Sequence, residues 1–171
     1  CYGGYMFSES RLFFGMADDW YGPRTLWVSL DGGATWSAPG PTAEGDPAVC
    51  PDPGDPNVAF WFGWRTTDQG ATWETLSGVD RVLTYNPGGA QELYGVRGAQ
   101  YPEGTPNTVV QSVDHGVTWS DVFAAPNIIW DLAYDHANSR FYVTIGDQRQ
   151  VSQLYQWENG ALTDITSRLP A

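Results

Sequence analysis

The chain has no lysine. All eight of its cations are arginines, at positions 11, 24, 65, 81, 97, 140, 149 and 168, against 20 acidic residues and a net charge of −12. A surface so short of clustered cations repels nucleic acid and anionic lipid, because binding either depends on many neutralised phosphates. No apolar run approaches the ~20 residues that cross a bilayer, so membrane insertion is not expected. No window carries a helical hydrophobic period either, which removes the main route to an α-helical core.

What is abundant points to β structure. Aromatic residues make up 15% of the chain, with 9 Trp and 9 Tyr, beside 20 Gly and 12 Pro. That mixture suits many short strands joined by sharp turns. At 171 residues the chain is long enough for one domain with a sizeable core.

One motif occurs three times. Asp31-Gly32-Gly33-Ala34-Thr35-Trp36, Asp68-Gln69-Gly70-Ala71-Thr72-Trp73 and Asp114-His115-Gly116-Val117-Thr118-Trp119 share the pattern Asp-x-Gly-x-Thr-Trp. Ser29, Thr66 and Ser112 stand two residues before each Asp. Four fixed positions coincide by chance about once in 10^5 windows, so the triplication records duplication. The glycine permits positive φ, and the carboxylate can accept N–H groups from the far side of a turn. Thr and Trp then re-enter a strand, whose alternation predicts that Trp36, Trp73 and Trp119 each enter a sheet-to-sheet interface.

The pattern Ser/Thr-x-Asp-x-Gly-x-Thr-Trp resembles the Asp-box of bacterial neuraminidase repeats, found in sialidases, xyloglucanase-like glycosidases, sortilin-type receptors and a photosystem assembly factor. The resemblance implies an all-β chain, a β-propeller of about four four-stranded antiparallel blades, with each box between the third and fourth strands. Around the boxes, Val49-Cys50-Pro51-Asp52, Leu83-Thr84-Tyr85-Asn86 and Leu132-Ala133-Tyr134-Asp135 align as first strands ending in Asp or Asn. Val58–Phe62, Leu93–Val96 and Phe141–Ile145 follow as second strands, and Tyr5–Ser8 with Leu12–Met16 open the first unit. Leu154 to Asp164 keeps the rhythm of a fourth unit without the box spelling. The expected blades are residues 1–40, 46–77, 79–124 and 126–171 of one domain or partial propeller over 1–171. Three arrangements fit: a closed four-blade ring, half of an assembly that self-associates through open blade edges, or an excerpt of a larger propeller.

In such a blade the box and the first-to-second-strand turn share one end. The second-to-third-strand loops and the blade links share the other. The long polar and aromatic loops fall at that second end: Ala17–Arg24, Gly98–Gly104 and Gly146–Gln150. Loop length gathered on one end marks a binding face. Aromatic rings stack on the apolar faces of sugars, while carboxylates and Arg bond their hydroxyls. The expected ligand-binding set is therefore Asp18, Asp19, Trp20, Tyr21, Tyr101, Glu103, Asp147 and Arg149.

Any catalysis would need two carboxylates astride a glycosidic bond, and Asp18, Asp19, Glu103 and Asp147 are the candidates. Sialidase chemistry would further require an arginine triad, a Tyr–Glu pair and an Arg-Ile-Pro segment. The sequence contains no Arg-Ile-Pro. The expected function is thus a secreted or surface-exposed, non-catalytic module that recognises glycans or serves assembly. The alternatives are a portion of a xyloglucanase-like glycoside hydrolase and a receptor or assembly factor that binds extracellular protein. Neither a cofactor nor a metal is expected, since acidic turns such as Asp52 and Asp55 lack calcium-ligand spacing. His115 and His136 read as turn residues. Cys1 either bridges Cys50 or marks lipid processing, and the box residues themselves are expected to be structural.

Overall fold

The computed structural model describes residues 3–17, 24–38, 40, 42–43, 49–52, 54–86, 91–98, 106–146 and 153–169. The chain forms four antiparallel sheets of four strands, each a simple meander. The first holds β1 (Gly3–Ser8), β2 (Arg11–Ala17), β3 (Arg24–Ser29) and β4 (Thr42–Ala43); the second holds β5 (Val49–Pro51), β6 (Ala59–Trp61), β7 (Trp64–Thr66) and β8 (Glu74–Thr75). The third holds β9 (Arg81–Tyr85), β10 (Leu93–Arg97), β11 (Thr108–Ser112) and β12 (Ser120–Ala124), and the fourth β13 (Ile128–Asp135), β14 (Arg140–Gly146), β15 (Gln153–Glu158) and β16 (Ala161–Asp164). The strands fall where the repeat places them, except that β4 lies beyond the expected limit at residue 40. Two single-turn 3₁₀ helices, His136–Asn138 and Thr166–Arg168, are the helical content of the described residues. No helix is long and apolar enough to cross a membrane.

The chain divides into two compact units, Cys1–Ser77 and Gly78–Ala171. In the first, β1 and β5 run beside each other, so neighbouring sheets meet along their first strands. Its core joins Phe13, Leu26 and Val28 of the first sheet to Trp61 and Phe62 of the second, with Val49, Trp64 and Trp73 packed against them. Phe13 and Trp61 are fully buried, and each such side chain contributes about 2–3 kcal/mol of hydrophobic stabilisation. Strands β6 and β7 are joined by Phe62-Gly63 alone. This forces Phe62 to φ 53, a conformation costing a bulky residue about 1–2 kcal/mol, which burial against Trp61 offsets.

In the second unit β9 lies beside β13, repeating the arrangement of first strands. Its core gathers Tyr94, Val96 and Val109 of the third sheet with Ile129, Leu132, Phe141, Val143 and Ile145 of the fourth. Phe123 stacks on Trp157 across the two sheets, with ring centroids 5.1 Å apart. The strands are rich in Val, Ile and aromatics because both faces of β10 are buried, a setting that rewards branched and flat side chains. Arg81 ties the sheets at their first strands, its guanidinium donating to the Ile129 carbonyl at 2.5 Å.

Candidate functional site

The three boxes are closed hydrogen-bonding circuits. In the first, the Ser29 hydroxyl donates to Asp31 Oδ1 (2.9 Å) while its oxygen accepts from Gly33 N–H (2.8 Å). Asp31 Oδ1 also accepts from Thr35 N–H (2.8 Å), and Oδ2 accepts from the Thr35 hydroxyl (2.6 Å). The same four bonds recur in the second box through Thr66, Asp68, Gly70 and Thr72, at 2.9, 2.7, 2.8 and 2.7 Å. In the third, Ser112, Asp114, Gly116 and Thr118 give 2.8, 2.9, 2.8 and 2.6 Å. The corner needs two consecutive residues at positive φ: Gly32 and Gly33 (72° and 93°), Gln69 and Gly70 (57° and 87°), and His115 and Gly116 (57° and 80°).

This geometry sets the charge of the turns. At Asp114 burial opposes ionisation, but the Thr118 hydroxyl and amide together with the Ser112 hydroxyl outweigh it and hold the carboxyl down at about 2. At Asp68 burial likewise opposes and the Thr72 and Thr66 bonds prevail; at Asp31 the Thr35 hydroxyl leads, and both carboxyls lie below their usual range. A carboxylate fully engaged by its own turn is an anchor and a poor proton donor.

The boxes do share an end with the first-to-second-strand turns. Gly32 N–H donates to the Ser10 carbonyl (3.0 Å), and Gln69 N–H to the Asn57 carbonyl (3.0 Å). Those neighbouring turns use a second device: Asp52 Oδ1 accepts from Gly54 and Asp55 N–H, and Asp135 Oδ1 from Asn138 N–H. His115 and His136 lie in these turns, as expected. Among the described residues no three His, Cys, Asp or Glu side chains come together as a metal site.

The tryptophans part company with expectation. Trp73 packs edge-on against Phe13 of the neighbouring sheet, with centroids 6.1 Å apart, and so does enter an inter-sheet core. Trp36 instead folds back over its own turn: its indole N–H donates to the Gly33 carbonyl at 3.1 Å, it meets Phe14 of the same sheet, and it is 39% exposed. Trp119 makes the same turn-closing bond to the Gly116 carbonyl (3.1 Å). The Trp73 N–H has no hydrogen-bond partner among the described residues, because its ring has been drawn into the core. Alternation places these rings on the correct face, but only an apposed sheet decides whether they are covered.

The expected ligand-binding residues Asp18, Asp19, Trp20, Tyr21, Tyr101, Glu103, Asp147 and Arg149 lie outside the described residues. Their positions in the chain are nevertheless informative. The connections from second to third strand span 18–23, 62–63, 98–107 and 147–152, so three are long and one is minimal. Cys1 also lies outside the described residues, while Cys50 is a buried free thiol that donates to the Pro51 carbonyl at 3.8 Å. Burial, reinforced by the charge of Asp52, pushes this thiol up to about 12, which leaves it unreactive at neutral pH.

One polar group went unsignalled by the sequence motifs. The Tyr94 hydroxyl donates to Glu92 Oε2 (3.1 Å), which also accepts from the Asn86 amide, while Gln111 reaches the Tyr94 oxygen at 3.4 Å. Burial first, and then the Glu92 charge, hold the phenol above its usual range, so Tyr94 is a donor here and no nucleophile. The pair sits at the box end, where Asn86 N–H donates to the Glu92 carbonyl and closes the β9–β10 turn.

Comparison with known proteins agrees with this architecture. A family model described as the BNR/Asp-box repeat matches residues 27–38. No curated protein matches the chain. Among solved structures the chain is similar to a Niastella koreensis GH74 enzyme, at 17% identity and a TM-score of 0.55, covering 92% of this chain and 28% of that one. It is similar to YCF48 bound to D1 peptide, at 15% identity and a TM-score of 0.58, covering 96% of this chain and 54% of that one. An ancestral GH74 enzyme gives 15% identity and a TM-score of 0.66 over 97% of this chain and 25% of its own. The chain thus spans between a quarter and about half the length of these structures, and it has the fold of a BNR-type β-propeller.

Proposed function

We propose that the chain is a non-catalytic, extracellular recognition module that binds glycans through the end opposite its Asp-boxes. One observation carries this reading: chain length is spent unevenly between the two ends of the sheets. The box end is closed by turns whose polar groups satisfy one another. In sequence, the second-to-third-strand connections 18–23, 98–107 and 147–152 carry the aromatic residues Trp20, Tyr21 and Tyr101 and the polar residues Asp18, Asp19, Glu103, Asp147 and Arg149. Flat rings flanked by carboxylates and a guanidinium match a sugar's alternation of apolar face and hydroxyl rim.

A second reading, capture of a protein segment, is favoured by the likeness to YCF48 bound to D1 peptide. A glycoside hydrolase role is the reading suggested by the GH74 likeness. Titration against a polysaccharide panel, with reducing-end release as a parallel readout, separates the three. Saturable binding without release, lost in Trp20→Ala and Tyr101→Ala, is the expected result. Bond cleavage abolished by changing Asp18, Asp19 or Glu103 would establish the enzyme, and a panel without binders would turn the search to peptides.

A further inference from the structure

An Asn or Asp side chain can be attacked by the backbone nitrogen of the residue that follows it, and glycine in that place leaves the nitrogen unshielded by a Cβ. The chain has two such dipeptides, Asp31-Gly32 in an Asp-box and Asn159-Gly160 in the β15–β16 turn. The first is disarmed by its own circuit. The Thr35 hydroxyl and amide, with Ser29, hold the Asp31 carboxyl below its usual range and so ionised, whereas attack requires the neutral acid. The Gly32 N–H, moreover, is already given to the Ser10 carbonyl at 3.0 Å.

The second has no such protection. Both residues are exposed, and neither the Asn159 side-chain amide nor the Gly160 N–H has a hydrogen-bond partner among the described residues. The ladder passes them by: Glu158 pairs with Ala161, as a two-residue turn requires, and the central amides face solvent. A Cβ on Gly160 would meet nothing within 4 Å, so the turn can swing Asn159 onto the Gly160 nitrogen without disturbing a packed neighbour. The other asparagines are shielded or held. Asn57, Asn107 and Asn127 precede Val58, Thr108 and Ile128, whose branched side chains crowd the nitrogen, and Asn86 precedes Pro87, which has no N–H. Asn138 precedes the small Ser139, but its Nδ2 donates to Asp135 Oδ2 at 2.7 Å and the Ser139 N–H donates to the His136 carbonyl at 3.4 Å.

We infer that Asn159 is a site of spontaneous covalent modification, a deamidation to aspartate and isoaspartate with water as the co-reactant. The Gly160 nitrogen gives its proton to solvent base and bonds Asn159 Cγ; the Cγ–Nδ2 bond breaks, ammonia leaves and a succinimide ring closes. Water then opens the ring. Opening at Cγ gives aspartate, while opening at the main-chain carbonyl leaves the chain running through Cγ and gives isoaspartate. The net change is amide and water to carboxylate and ammonium. Either product adds a negative charge beside Glu158, which pairs with Arg140 at 3.2 Å. Isoaspartate also lengthens the backbone of a turn that closes on two residues at positive φ. It therefore loosens β16, whose Leu162 packs against the core of the unit Gly78–Ala171.

Peptide mapping of the unmodified chain, aged in mildly alkaline buffer, tests this. Conversion at Asn159 is expected to run at least about tenfold faster than at Asn138, with Asp31 unchanged, and Gly160→Ala to slow it by a similar factor. The isoaspartate form, separated chromatographically, should exchange the backbone hydrogens of Ala161–Asp164 at least about tenfold faster than the parent, while Asn159→Asp, which keeps the turn, should not. An Asn159 that stays intact, or that reacts no faster than Asn138, overturns the proposal, as does a rate unchanged by Gly160→Ala. Equal exchange in the two acidic forms overturns the effect on the hairpin. Should Gly160→Ala fail to fold, the ranking of Asn159 against Asn138 in the unmodified chain still decides.

Discussion

The third and fourth strands of a sheet are joined here in two ways. Three sheets use the Asp-box, and the fourth uses a two-residue turn, Asn159-Gly160, at φ 51° and 81°. Both solve the same problem of reversing the chain through two positive-φ residues, which suits a type I′ hairpin. The short turn does so with nothing but backbone preference, since a Cβ on Gly160 would meet nothing within 4 Å. The box adds a carboxylate clamp and, in the second sheet, a glycine pressed against the ring of a neighbouring sheet. The difference teaches that the box is a joint between sheets as well as a corner within one.

Breaking the joint should cost most. Gly70→Ala places a methyl group at φ 87°, 2.3 Å from the Phe13 ring, and should destabilise the chain by more than about 3 kcal/mol, from backbone strain and overpacking together. Chemical denaturation measures it, and a loss below about 1 kcal/mol would show that Phe13 can move aside. The clamp comes next and has a pH signature. Because the folded-state Asp114 carboxyl lies at about 2, below the ~4 of an unfolded chain, its contribution is complete above pH ~4 and drains away as pH falls towards 2. Asp114→Asn should flatten that acid limb of the stability profile; an unaltered slope would remove the clamp from the account. Gly160→Ala should have the smallest effect, about 1 kcal/mol, for it meets the backbone penalty alone. Equal losses at positions 70 and 160 would erase the distinction between joint and corner.

Much of this was legible in the residues. The box spelling locates three turns at their observed places; Asp135 ends a first strand as expected, while Asp52 and Asn86 stand one residue past the ends of theirs. These succeed because each signal is local: a glycine that must take positive φ and a carboxylate that can reach four residues ahead. The tryptophans show the limit. Trp36, Trp73 and Trp119 occupy one motif position, yet only Trp73 lies against the core shared with the next sheet, because coverage depends on a surface remote in sequence. Arg81 was illegible for the same reason; its buried contact with Ile129 spans 48 positions.

The sequence by itself determined the all-β class, the meander of four short sheets and which residues make their corners, since turn chemistry acts within a few residues. Only the tertiary structure decided that equivalent positions differ in fate: Trp73 packed against Phe13 of the neighbouring sheet, and Trp36 exposed over its own turn. Burial is a relation between surfaces, and a repeat specifies the surface without specifying what lies opposite it.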